Sequence, residues 1–170
     1  MTRKVIGQSM RRYSKSCGLL LIPILIWNLA FARQLPPAYS DATLFAHIPA
    51  GLSFGENLCR FFVFVLPFLM PFPNGKAEMR PAIWLFSIGL ALYFASWIPL
   101  LAWPESLWST RWVGFIAPAY TPALWLFGLA LLGRRLFWGN LFRWWMYLAI
   151  SVLFLSLHIT HATLVYQANY

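Results

Sequence analysis

The residues able to do chemistry fall in two short stretches of an otherwise apolar chain. Glu56, Asn57 and Arg60 form the first, and His158 and His161 the second. Separations of three and four put each set on one face of a helix. An ionisable group inside an apolar segment is costly, so a functional site is the default reading. The alternative is a satisfied network between helices, with Glu56 and Arg60 paired and bonded to Asn57, Ser151 or the histidines.

Each available chemistry makes a different demand. Neutral imidazole is the commonest metal ligand, and His158 and His161 could share a metal, with His47 and Glu56 or Asp41 completing the set. The signal is weak, because HExxH is absent and no cysteine lies nearby. Haem between helices ordinarily takes histidines from two spans, and only one span here has any. Acid–base chemistry needs paired carboxylates. Glu56 with Asp41 or Glu105 could supply them, although Glu105 with Arg111 reads as a loop salt bridge. Ser151, Ser156, Thr160 and Thr163 read as hydrogen-bonders between helices rather than nucleophiles. There is no glycine-rich phosphate loop. The expectation is therefore a ligand-binding site of Glu56, Asn57, Arg60, His158 and His161, with no cofactor specified.

The chain around these residues is membrane-like. Of its 170 residues, 61% are hydrophobic and 10% charged, and mean hydropathy is +0.65. A soluble domain is nearer a quarter charged. The net charge of +9 does not mark a nucleic-acid binder, because the basic residues cap apolar blocks and form no stripe. Cys17 and Cys59 read as buried thiols near opposite faces, too far apart for a disulfide.

The blocks predict an all-α integral membrane protein in one domain, a bundle of five transmembrane helices. The spans cover about 16–32, 53–71, 81–103, 112–133 and 143–165. Four remain if the first, with Ala30-Phe31-Ala32 at its end, is a cleaved signal. Leu44, Phe45, Ile48 and Leu52 predict a short amphipathic helix in the first outer loop. Pro118 and Pro122 should kink or interrupt the fourth span. The fifth has no proline, and Tyr147, Ser151, Phe154, His158, His161 and Val165 form one stripe along it. Pro81–Phe86 and Pro122–Phe127 share a proline-led hexapeptide pattern, read as coincidence rather than an inverted repeat.

Orientation follows from charge. With the N-terminus inside, Arg3, Lys4, Arg11, Arg12, Lys15, Lys76, Arg80, Arg134, Arg135 and Arg143 all fall on the inner side, leaving Arg33 and Arg111 outside. This predicts N-in and C-out, with a cytoplasmic N-terminus and a periplasmic C-terminus in a bacterial inner membrane. His158 and His161 then lie about 10 and 6 Å below the outer end of their helix at 1.5 Å per residue, level with Glu56 and Arg60. Trp97, Trp103, Trp108, Trp112 and Tyr120 fall at the same end, able to line a lipid or quinone-like pocket.

The function expected is a ligand-binding or accessory membrane protein with an outer-facing polar pocket between the second and fifth helices. The first alternative is a structural, assembly or immunity-type protein that packs against a partner. The second is a metal- or haem-dependent enzyme. The expected partners are the lipid bilayer and either another membrane protein or a further copy of the chain, with no nucleic acid.

Overall fold

The computed structural model describes residues 16–36, 39, 48–73, 75–138 and 142–170. Among these, regular structure is helical apart from isolated bridge residues, Ser16 paired with Pro71 among them. The elements are α1 (Ile22–Phe31), α2 (Ala50–Leu69), α3 (Lys76–Ala102), α4 (Leu107–Thr110), α5 (Trp112–Phe115), α6 (Ala117–Tyr120), α7 (Pro122–Leu132) and α8 (Trp144–Asn169). Tight turns at Cys17–Leu21 and Ala32–Gln34 extend α1 at both ends.

Among the described residues, four helical segments are long and apolar enough to cross a membrane: Cys17–Gln34, α2, α3 and α8. The 20 residues of α2 reach about 30 Å, the thickness of a bilayer core. Their outer surfaces carry large apolar side chains such as Leu29, Phe61, Ile88 and Leu153 in the open. Contiguous exposed apolar surface of this kind suits lipid and not water.

The fourth expected span takes a different form. It is broken into α5, α6 and α7, and its longest apolar run, Ala117–Leu132, is shorter than the other four segments. The prolines explain the breaks. Pro118 and Pro122 each sit in the first turn of a new helix, where a missing N–H costs nothing. They could not continue the preceding helix without forfeiting a hydrogen bond. Pro81 behaves otherwise, because α3 starts at Lys76 and runs through it. Similarly, α2 starts at Ala50, ahead of the expected Ser53. Of the amphipathic helix expected in the first outer loop, Leu44 and Phe45 lie outside the described residues. Ile48 packs on the Phe115–Ile116–Val165 cluster and Leu52 belongs to α2. The basic residues of positions 1–15 also lie outside the described residues.

Two antiparallel pairs build the bundle, α2 with α8 and α3 with α7, and α8 also packs on α7. Lipid is as apolar as leucine, so helix association depends on close packing and hydrogen bonds. Gly89 and Gly128 supply the close packing. A Cβ on Gly89 would lie 2.3 Å from the Trp125 backbone N, and one on Gly128 would lie 2.6 Å from that of Phe86. Hydrogen bonds fasten the first segment to α2: Cys17 N–H donates to the Met70 carbonyl at 2.8 Å, and Ser16 Oγ donates to the Pro67 carbonyl at 2.8 Å. The Cys17–Leu21 turn packs on α2, whereas α1 itself makes little contact with it. The two segments therefore diverge toward their other ends, and a cavity lies between them.

The hexapeptide likeness is superficial. Trp84 is 68% exposed on α3, whereas its counterpart Trp125 is 2% exposed at the centre of the bundle.

Candidate functional site

Glu56 lies in the second turn of α2, faces the bundle and is 2% exposed. Three donors converge on it. Arg60, one turn along α2, donates through Nη2 to Oε1. From α8, His158 Nδ1 donates to Oε1 at 2.9 Å and His161 Nδ1 to Oε2 at 2.5 Å. A carboxylate has about four acceptor sites, so most of its capacity is used. Arg60 Nη1 also donates to Asn57 Oδ1 at 3.2 Å. Glu56, Asn57, Arg60, His158 and His161 thus form one cluster, level across two helices.

Local sequence accounts for the geometry. Tyr147, Ser151, Phe154, His161 and Val165 form the buried stripe of α8, with His158 half-buried at its edge. The His158 ring stacks on that of Phe154, centroids 5.2 Å apart and planes 12° apart, and the Arg60 guanidinium lies 6.0 Å from the Phe154 centroid. Phe154 is therefore the floor on which both basic groups rest. The hydroxyls of α8 behave differently from expectation. Ser151, Ser156 and Thr160 donate to the carbonyls of Tyr147, Val152 and Ser156 within their own helix. That bond satisfies a hydroxyl wherever the helix faces, lipid included. Thr163 does bond between helices, accepting from Trp112 Nε1 at 3.3 Å.

The cluster forms one wall of a cavity of about 560 Å³ between α1, α2, α3, α5, α6, α7 and α8. This is the size range of small-molecule sites. On other walls Tyr93 Oη donates to Asn28 Oδ1 at 2.6 Å, tying α3 to α1. Trp125 also lines the cavity, and its indole N–H has no hydrogen-bond partner. Tyr39 closes the far end. Its hydroxyl donates to the Phe115 carbonyl, and its ring stacks on Phe115 at 4.5 Å. Burial, with Tyr170 nearby, pushes the Tyr39 phenol above its ordinary range, so it stays a neutral donor.

The chain matches no protein-family profile, and no curated protein or solved structure is significantly similar to it. The site itself must carry the functional argument.

Both Nδ1–H groups are directed at the carboxylate, which leaves Nε2 as the nitrogen through which either ring could take a metal. No group of three His, Cys, Asp or Glu among the described residues could hold a metal ion. His47 and Asp41 lie outside those residues. His158 and His161 share α8, so they do not offer haem one histidine from each of two helices. Glu105 takes no part in the cluster. Instead, Glu56 sets the tautomer of both rings, presenting Nδ1–H inward. A carboxylate so placed orients an imidazole and raises its basicity.

Several cavity residues escaped sequence reasoning. Trp125, Tyr93, Phe64 and Phe115 line the space but look like generic membrane residues. Asn28 carried the one available signal, a lone amide within an apolar span. Of the aromatic group expected around the site, Trp97 lines the cavity. Trp103, Trp108 and Trp112, at the end of α3, in α4 and at the start of α5, are exposed, and Tyr120 is not part of the lining.

Proposed function

We propose that the chain is an integral membrane protein that binds an amphipathic small molecule in the cavity beside Glu56, Arg60, His158 and His161. The observation that carries this is the coincidence of two features: a 560 Å³ space and the one ion-pair cluster found within a membrane-length pair of described helices. A cluster serving packing alone would have no need of a cavity beside it, since close packing is what holds such helices together.

Charge supports an orientation. Lys76, Arg80, Arg134, Arg135 and Arg143 gather at the end of the bundle where α2 meets α3 and α7 meets α8, and Arg33 and Arg111 at the other. The positive-inside rule puts the richer end in the cytoplasm. The cavity then lies in the outer half of a membrane of the bacterial inner-membrane type.

The test is native mass spectrometry of protein purified in mild detergent. A small-molecule adduct is expected on the wild type and lost from Ala162→Phe, which fills the cavity from α8, with the melting temperature retained. No adduct, or an equal adduct on both proteins, would overturn the reading. Unfolding of His158→Ala, His161→Ala and Glu56→Gln together with an adduct-free wild type would favour the packing role.

A further inference from the structure

The chemistry of the walls narrows the occupant, on the premise that the cavity is a binding site. Charge is balanced before any ligand arrives. Glu56 and Arg60 cancel, and the two imidazoles bonded to Glu56 add nothing while neutral. A cation entering would find the cavity's one carboxylate already engaged by three donors. An anion would meet Arg60 only in competition with Glu56 and Asn57. Neither kind of charge has an uncommitted counter-charge in the cavity, and an unpaired charge at this depth is expensive.

Hydrogen bonding points the other way. The Trp125 and Trp97 side chains are 2% and 6% exposed, both line the cavity, and each has an indole N–H without an acceptor, Trp125 being the more deeply buried. An orphaned buried donor costs free energy until an acceptor reaches it. His158 also lines the cavity, and with Nδ1–H committed to Glu56 its Nε2 carries the ring's acceptor lone pair. The walls thus offer indole donors, from Trp125 and Trp97, and an imidazole acceptor, with no spare charge. Their remaining surface is largely aromatic and aliphatic, with Phe64, Phe154 and Trp97 among the lining.

The opening gives the source. Leu25 on α1 and Arg60 on α2 both line the cavity and both are exposed, at 44% and 42%. They lie where α1 and α2 diverge, a gap that faces the surroundings of the bundle from its side.

We infer that the cavity takes an uncharged, lipid-dissolved molecule with a carbonyl- or hydroxyl-bearing ring, of the quinone or quinol class, entering between α1 and α2. The ring carbonyl accepts from Trp125 Nε1–H, a ring hydroxyl donates to His158 Nε2, and the apolar tail leaves through the gap.

The experiment uses the purified full chain in detergent and three probes with the same ten-carbon tail: decylbenzoquinone, decyl phosphate and decyltrimethylammonium. A ligand that binds only the folded state raises the melting temperature saturably. The quinone is expected to do so and the cation not. Trp125→Phe keeps the ring but removes the unpartnered N–H. It should leave the ligand-free melting temperature unchanged and weaken quinone binding about three- to tenfold, the worth of one hydrogen bond. Stabilisation by decyl phosphate or decyltrimethylammonium in place of the quinone would overturn the inference while leaving the cavity as a binding site. Equal quinone affinity in wild type and Trp125→Phe would remove the indole from it. No shift with any probe would overturn it as well, and the native mass spectrum would then decide whether the broader reading survives.

Discussion

A carboxylate buried in an apolar helix persists only where donors replace the water it gave up. Glu56 has three, and none is dispensable to the others: each keeps a charge or an N–H from facing the bundle interior unpaired. Removing the acceptor should therefore cost more than removing one donor. Glu56→Ala is expected to destabilise the protein by about 3 kcal/mol, the usual consequence of breaking a buried pair from one side, read as a lower denaturation midpoint. The comparison is Glu78→Gln. Glu78 meets Arg134 at 3.0 Å with both side chains about half exposed, so its loss should cost under about 1 kcal/mol. Equal effects would show that Glu56 lies in a wetter environment than its burial implies. The site residues themselves stood out in the sequence, because charge is conspicuous in an apolar chain. Trp125 did not, because an indole becomes informative only when its surroundings leave the N–H without a partner.

At the scale of elements, α3 and α7 meet where neither has a side chain. Gly89 faces the Trp125 backbone and Gly128 the Phe86 backbone, and backbone cannot rotate away as a flexible side chain can. Gly128→Ala is expected to lose about 1–3 kcal/mol through forced separation of the helices. Gly51, with open space around its Cβ position, is the control, and Gly51→Ala should be neutral or slightly stabilising. Matching losses at both positions would mean that the cost is not the contact. Proline placed the breaks of the fourth apolar block, and its effect could be anticipated from covalent geometry. What could not be anticipated was that Pro81 would be carried inside a 27-residue helix. A single lost hydrogen bond is tolerated when the surrounding turns are held by packing.

For the whole molecule, the two ends differ in charge, with Lys76, Arg80, Arg134, Arg135 and Arg143 at one and Arg33 and Arg111 at the other, and this asymmetry sets the expected topology. In a Cys17→Ser, Cys59→Ala background, a cysteine at Pro73 should be labelled by an impermeant maleimide only after the membrane is opened. A cysteine at Glu105 should be labelled from outside in intact cells. The reverse pattern would invert the orientation and place the cavity in the inner half. The same architecture explains why α1 is the segment to watch. The turn leading into it is fastened at the end of α2 by Ser16 and Cys17, and α1 itself to α3 through Asn28 and Tyr93, and the gap between those attachments is the proposed way into the cavity.

By itself the sequence determined that the protein is helical and apolar enough to span a membrane, because length and hydropathy are local properties. It also determined the buried face of α8, because a stripe at helical spacing survives any arrangement of neighbours. The tertiary structure decided that two oxygens of one glutamate would hold both histidines. It also decided that a cavity would open beside them and that two of ten tryptophans, Trp97 and Trp125, would line it with their N–H groups unpartnered. Those outcomes depend on the rotation and spacing of helices far apart in the chain. The spacing is set by contacts such as Gly89 on Trp125, which no local pattern encodes.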